Sequence, residues 1–92
     1  MRITAELSLY PLSDDPIPTI LEFIAGLNED GRLEITVNQL STQIRGELDE
    51  VIRCVHAALQ RSFGSGGPQV LVAKFLNSDL PIGEPPDLES GR

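Results

Sequence analysis

The chain has 92 residues, a formal net charge of −7 and a hydrophobic content of 40%, which together predict one small folded domain. Fourteen acidic residues against seven lysines and arginines disfavour nucleic acid and anionic membranes as partners, because both require a basic surface. A single cysteine and a single histidine exclude an internal disulfide and a multi-histidine metal site. No signal peptide or apolar run of ~18 residues is present, so we expect a cytoplasmic protein without a membrane partner.

The chain begins with a strand that has one buried face, followed by an amphipathic helix. Apolar and polar side chains alternate over residues 3–9, which is typical of a half-buried strand, and Pro11 ends it. A helix is then predicted over residues 16–28. The apolar positions at helical spacing, which we expect to be buried, are Ile17, Ile20, Leu21, Ile24 and Leu27.

Two short alternating segments follow and predict a β-hairpin. Residues 33–37 and 42–45 each alternate apolar or β-branched with polar side chains. The polar break at residues 38–41 separates them, although it lacks the Asn-Gly pair of a tight hairpin turn. We therefore expect a second and a third strand that pair with each other.

A second helix and a last strand complete the predicted pattern. The helix opens over residues 46–50 and stops at the glycine-rich segment 64–68. Its expected buried positions are Leu48, Val51, Ile52, Val55, Leu59 and Phe63. The last strand covers residues 69–77, with Leu71, Ala73 and Phe75 towards the core and Val70, Val72 and Leu76 on the opposite face.

The order strand, helix, strand, strand, helix, strand predicts an α+β fold. Its compact solution is a ferredoxin-like βαββαβ sandwich, a four-stranded antiparallel sheet of order 4-1-3-2 with two helices on one face. We assign residues 1–79 to this single domain. Residues 80–92 are rich in proline and acidic side chains and are predicted to form a flexible tail.

The second face of this sheet would remain uncovered and would be half apolar. Its apolar part comes mainly from Val70, Val72 and Leu76, which water disfavours. We therefore expect a homodimer or homotetramer that associates through the sheet face or edge. A monomer that tolerates the apolar strip is the alternative.

The residues that could perform catalysis do not form a recognisable constellation. Cys54 and His56 lie two positions apart on a predicted helix, so their side chains point in different directions. Cys54 is expected in the core and His56 on the surface. The glycine-rich segment 64–68 follows a helix rather than opening one, unlike a phosphate-binding loop. We expect no enzyme activity, no metal and no cofactor.

Polar side chains near the first strand and the hairpin favour a ligand-binding function. Carboxylate, hydroxyl and amide groups could fix the donors and acceptors of a heteroaromatic ring through directional hydrogen bonds. These residues could equally be ordinary strand and turn residues. The candidate ligand-binding residues are Glu6, Ser8, Tyr10, Asn38, Ser41 and Thr42.

Two blocks of sequence resemble the YkoF-like thiamine-binding family. They are AELSLYPL at residues 5–12 and NQLSTQIRGELDEV at residues 38–51, within a likeness that extends over about residues 3–79. The resemblance implies a ferredoxin-like fold, assembly into dimers or tetramers, and binding of thiamine or its hydroxymethylpyrimidine part for sequestration or delivery. It implies that Glu6, Ser8 and Tyr10 contact the ligand from the first block. Asn38, Ser41 and Thr42 would do so from the second.

Two other function classes remain open on the sequence alone. One is an oligomeric interaction or regulatory module without a small-molecule ligand, in which the open sheet face serves assembly. The other is a small enzyme, which ranks last because no acid-base or nucleophilic constellation is visible.

Overall fold

The computed structural model describes residues 1–29, 31–65 and 67–88, and these form four strands and two helices. The elements are β1 (Arg2–Pro11), α1 (Ile17–Leu27), β2 (Glu34–Val37), β3 (Thr42–Glu47), α2 (Leu48–Ser65) and β4 (Gln69–Leu76). Neither helix in this part of the chain is long and apolar enough to cross a membrane.

The four strands form one antiparallel sheet in the order β2-β3-β1-β4. This confirms the predicted ferredoxin-like α+β fold, including β1 and β3 as the central strands. Directly opposed residues share a face, so Leu7 and its partner Thr42 lie on the side covered by the helices. Glu6 and its partner Gln43 lie on the other side, which we call the open face.

The core lies between the sheet and the two helices. The predicted inward residues of β1, Ile3, Ala5, Leu7 and Leu9, are all buried. Ile44 of β3 and Val51 of α2 are fully enclosed between the layers. Burying an aliphatic side chain of this size contributes roughly 1.5–3 kcal/mol, so these positions determine which side of each strand faces the helices.

The first helix is rotated relative to its predicted orientation. Phe23 and Leu27 are the buried residues of α1, whereas Ile17 and Leu21 are exposed. The two helices pack against each other at Gly26, where an added Cβ would lie 3.7 Å from the Cβ of Ala58, an ordinary van der Waals distance. Leu27 is buried as predicted and Ile20 and Ile24 are half-buried, so the periodicity predicted the packed side of α1 in part and missed Phe23.

The buried side of the second helix also differs from the predicted one. Its buried residues include Cys54 and Ala58, next to the correctly predicted Val51 and Val55. Three predicted core residues are instead exposed: Leu48 at 38%, Ile52 at 47% and Phe63 at 49%. The packed side of α2 thus combines the small side chains of Cys54 and Ala58 with the two valines and the partly buried Leu59. Cys54 is buried and His56 exposed, as predicted.

The last strand has a free edge. The register of β4 places Leu71, Ala73 and Phe75 on the helical side, as predicted, opposite Leu9, Leu7 and Ala5. Ala73 and Phe75 are nevertheless exposed, Phe75 at 48%, because the helices cover the central strands more than this edge. The strand therefore presents apolar side chains on both faces.

The chain after β4 returns to the open face. The side chain of Thr4 is buried there because the segment 78–80 lies across it and is hydrogen-bonded to it. Flexibility of residues 80–92 stays a prediction, and residues 89–92 lie outside the described part of the chain.

Candidate functional site

The central strand β1 is longer than its partner β3, and this difference creates an opening in the sheet. The pairing of β1 with β3 stops at Leu7 and Thr42, whereas the pairing of β1 with β4 continues to Pro11. No residue of β3 therefore lies opposite Ser8, Leu9 or Tyr10. The backbone N–H and C=O groups of successive residues point to opposite edges of a strand. Those of Leu9 therefore point towards the opening.

A cavity of about 420 Å³ occupies this opening, and we call it the hairpin cavity. Its walls are the end of β1 (Leu7–Tyr10), one side of α1 (Ile17–Ile24) and the hairpin residues 37–42. The volume lies within the range of roughly 300–1,000 Å³ typical of small-molecule sites. A smaller cavity of about 250 Å³ between the two helices falls below that range.

The structure brings five of the six predicted binding residues to the hairpin cavity. Those that line it are Ser8, Tyr10, Asn38, Ser41 and Thr42. Thr42 reaches it from the helical side and is buried, because it is paired with Leu7 and Val37 in the sheet. Glu6 lies on the open face just outside the cavity.

Glu6 is connected to the cavity through Ser41. The hydroxyl of Ser41 donates a hydrogen bond of 2.9 Å to Glu6 Oε2 and accepts one of 3.2 Å from Gln43 Nε2. The other carboxylate oxygen of Glu6 lies 3.4 Å from Lys74 Nζ. Charge-assisted hydrogen bonds are stronger than neutral ones, so the carboxylate fixes the position of Ser41 at the cavity wall.

Asn38 organises the loop that forms one wall. Its side-chain oxygen accepts hydrogen bonds from the backbone N–H groups of Leu40 (3.0 Å) and Ser41 (3.1 Å). Its own backbone N–H donates to the Ser41 carbonyl. An asparagine that closes a turn in this way is a common loop device. These bonds use its carbonyl oxygen, which leaves the side-chain Nδ2 as its group for a ligand.

Apolar side chains that were not predicted as site residues complete the cavity. Ile17 and Leu21 of α1 had been placed in the core, and Leu40 stands within the polar break between the two strands. All three are exposed, Leu40 at 88%. An isolated apolar residue in a polar turn was the one sequence signal that could have identified this wall. Tyr10, 53% exposed, adds an aromatic face that suits stacking.

Fold and cavity define an α+β ferredoxin-like domain with a ligand-sized opening beside its central strand. No protein-family model matches the chain, and no curated protein matches it either. Solved structures do match. A Streptococcus pneumoniae protein is similar with a TM-score of 0.78 and 24% identity, over 87% of this chain and 90% of that one.

Two further structural neighbours carry names that relate to function or to family. A Thermotoga maritima protein, provisionally named a thiamine biosynthesis/salvage protein, superposes with a TM-score of 0.73 at 18% identity, over 99% of this chain and 96% of its own. A domain of unknown function, DUF77, from Bacillus cereus has a TM-score of 0.71 at 20% identity, over 86% of this chain and 78% of that one. At these identities the likeness establishes the fold.

Proposed function

We propose that the protein binds thiamine, or its hydroxymethylpyrimidine part, in the hairpin cavity and sequesters or delivers it without chemical change. The observation that carries this proposal is the cavity itself. It combines apolar walls with an aromatic ring, three serine and threonine hydroxyls and two side-chain amides within about 420 Å³. Apolar cavities with a few convergent polar groups are the usual form of small-molecule sites.

The polar groups suit an aminopyrimidine ring. Such a ring offers an amino donor and ring-nitrogen acceptors, which the hydroxyls of Ser8 and Ser41 and the amide of Asn38 can match. Tyr10 provides a surface against which the ring can stack. Each well-made hydrogen bond is expected to contribute about 0.5–1.5 kcal/mol.

The charge of the protein suits the rest of thiamine. The thiazolium ring is a cation, and the chain carries a formal net charge of −7. The carboxylate of Glu6 lies directly behind Ser41, so it adds a negative charge close to the cavity. The provisional name of the Thermotoga maritima neighbour supports the same class of ligand.

Isothermal titration calorimetry with thiamine and with hydroxymethylpyrimidine tests the proposal. We expect binding to the unmodified chain and a loss of affinity of fivefold or more in Leu21→Ser, which removes an apolar wall. Ile52→Ser is the matched control, because it changes another exposed apolar residue, on α2 and outside the lining of the cavity. Absence of heat with both ligands, or equal affinities in the two variants, would contradict the proposal.

The second candidate function is an oligomeric interaction module. Val70, Val72 and Leu76 of the edge strand β4 are each between 44% and 47% exposed, and an exposed apolar edge favours association. Under this alternative, light scattering shows a dimer or tetramer that Val72→Lys dissociates and Ile52→Lys does not. Ligand titrations would then remain flat. A monomer at all concentrations would exclude this alternative.

A further inference from the structure

Backbone groups of β1 border the hairpin cavity, and their direction follows from hydrogen bonds at the two ends of the strand. The N–H of Leu12 donates to the Pro68 carbonyl at 3.0 Å, on the β4 side. The N–H of Leu48 donates to the Met1 carbonyl at 2.9 Å, on the β3 side. Because these directions alternate from residue to residue, the odd-numbered residues of β1 face β3. The N–H and C=O of Leu9 therefore both face the side on which β3 has ended.

These two backbone groups of Leu9 have no hydrogen-bond partner among the described residues. The pairing of β1 with β3 stops at Leu7 and Thr42. Leu40 would stand opposite Leu9 in the same register, but its N–H donates to Asn38 Oδ1. Leu9 lines the hairpin cavity and is only 8% exposed. Buried backbone groups are nearly always paired, so this donor and this acceptor are placed for a ligand.

The free edge of β1 is too short for another strand. The next residue that faces it is Pro11, which has no N–H group, so Leu9 is left as the N–H donor of this edge. Addition of a strand needs a row of backbone hydrogen bonds, whereas one donor beside one acceptor matches the edge of a small planar ring. The geometry therefore favours a heterocycle over an extended peptide.

The side chain of Thr42 supplies a third unpaired group. Thr42 and Thr4 are equally buried, at 6% exposure. The Thr4 hydroxyl makes two hydrogen bonds, whereas the Thr42 hydroxyl makes none within the part of the chain that the structure describes. Thr42 lines the hairpin cavity. Since buried polar side chains are normally hydrogen-bonded, this hydroxyl is also placed for a ligand.

We propose that the hairpin cavity recognises a planar heterocycle by an edge at which a ring nitrogen lies next to an exocyclic amino group. The N–H of Leu9 donates to the ring nitrogen and its C=O accepts from the amino group, as two antiparallel strands pair. The Thr42 hydroxyl binds a further polar atom of the ligand. This inference rests on the hairpin cavity as the binding site, and it names the chemical edge that the site selects. The aminopyrimidine ring of thiamine carries such an edge.

Two isomers test which edge is recognised. 4-Aminopyrimidine carries its amino group beside a ring nitrogen, whereas in 5-aminopyrimidine both neighbouring ring atoms are C–H. The two have the same atoms and are uncharged at neutral pH. In NMR titrations of the full chain, the 4-isomer should bind about tenfold more tightly and should slow hydrogen exchange at the Leu9 amide. Equal affinities, or a Leu9 amide that the bound 4-isomer leaves unaltered, would overturn the proposal.

A backbone ester tests the Leu9 donor itself. Semisynthesis with an ester oxygen in place of the Leu9 N–H should weaken binding of thiamine and of 4-aminopyrimidine fivefold or more. The same ester at Leu7, whose N–H faces Thr42 in the sheet, is the matched control and should cost more stability, because it removes a bond between strands. Full affinity in the Leu9 ester would refute its role.

Thr42→Val tests the hydroxyl with a signature that a structural role would not give. It should weaken binding of thiamine about fivefold and leave the protein at least as stable, because the lost hydroxyl has no protein partner. Thr42→Ser should keep the affinity. A variant Thr42→Val that loses stability and binds normally would contradict the assignment.

The outcomes also separate this inference from the proposed function. Thiamine that binds while the Leu9 amide exchanges as before overturns the recognised edge alone and leaves the hairpin cavity as a binding site. If thiamine and both aminopyrimidines fail to bind, both proposals are wrong.

Discussion

Ser41 and Glu6, 35 positions apart in the chain, are joined by a hydrogen bond of 2.9 Å from the serine hydroxyl to the carboxylate. The bond connects the β2–β3 loop to the middle of the central strand β1. Glu6 is the one predicted binding residue that does not line the hairpin cavity. The bond brings it into contact with Ser41, which does line the cavity. Glu6 therefore acts on the cavity by holding Ser41.

Glu6→Ala should weaken thiamine binding tenfold or more while leaving the fold intact. The change removes the acceptor that orients Ser41 and a negative charge directly behind the cavity wall, and each is worth about 1 kcal/mol or more. Calorimetry measures the affinity, and thermal unfolding monitors the fold. Glu22→Ala, which removes an exposed carboxylate of α1 outside the hairpin cavity, is the control for net charge. If Glu6→Ala binds thiamine as the unmodified chain does, Glu6 has no part in the site.

Two substitutions separate the two proposed roles of Asn38, which are to organise the β2–β3 loop and to contact the ligand through Nδ2. Asn38→Asp keeps the side-chain oxygen that accepts from Leu40 and Ser41 but removes the Nδ2 donor, whereas Asn38→Ala removes both. Amide exchange at Ser41 should therefore stay slow in the Asp variant and quicken in the Ala variant. Thiamine affinity should fall in both variants if Nδ2 contacts the ligand. Full affinity in Asn38→Asp would restrict Asn38 to organising the loop.

Phe23→Ala and Leu21→Ala test the orientation of α1. Phe23 is buried at 3% exposure and Leu21 is 60% exposed. Truncation of a buried phenylalanine costs about 3–5 kcal/mol, whereas the exposed leucine should cost below ~1 kcal/mol. Chemical denaturation measures both free energies of unfolding. A larger loss for Leu21→Ala would show that the helix is rotated as its hydrophobic periodicity suggested.

Thr4→Val should loosen residues 78–80, which cross the open face as a strap, without disturbing the sheet. The hydroxyl of Thr4 is hydrogen-bonded to both Ser78 and Leu80, and its loss leaves a donor and an acceptor to find new partners, at about 1–3 kcal/mol. We expect the Leu80 amide to exchange its hydrogen roughly tenfold faster or more. Thr36 lies in β2 on the same open face of the sheet as Thr4. Thr36→Val is therefore the control and should leave the exchange rate of the Leu80 amide unchanged. Slow exchange retained in Thr4→Val would show that Thr4 does not anchor the strap.

The strands could be predicted more fully than the helices, for a physical reason. Alternation along β1 leaves only one way to bury Ile3, Ala5, Leu7 and Leu9 together. The helices carry apolar residues on more than one side, so periodicity cannot decide which side packs. Cys54 and Ala58 are buried on the packed side of α2, and Gly26 of α1 lies against Ala58. The small size of these three residues gives them little weight in a hydrophobic pattern.

The candidate site could likewise be predicted only in part. Its polar residues could be chosen from the alternation of β1 and the composition of the hairpin loop. Its apolar walls could not, because Ile17 and Leu21 resemble core residues in sequence, and their exposure depends on how α1 is rotated. The burial of Thr4 depends on residues more than 70 positions later, whose composition is typical of a tail.

A thermal-shift titration of the purified chain with thiamine, and separately with hydroxymethylpyrimidine, tests the central claim most directly. Ligand that binds only the folded state at 100 times its Kd adds about 2.7 kcal/mol of stability, on the order of 10 °C for a domain of this size. We predict a melting temperature that rises with ligand concentration and rises less in Leu21→Ser. A melting temperature that stays constant with both ligands up to millimolar concentration would contradict the account.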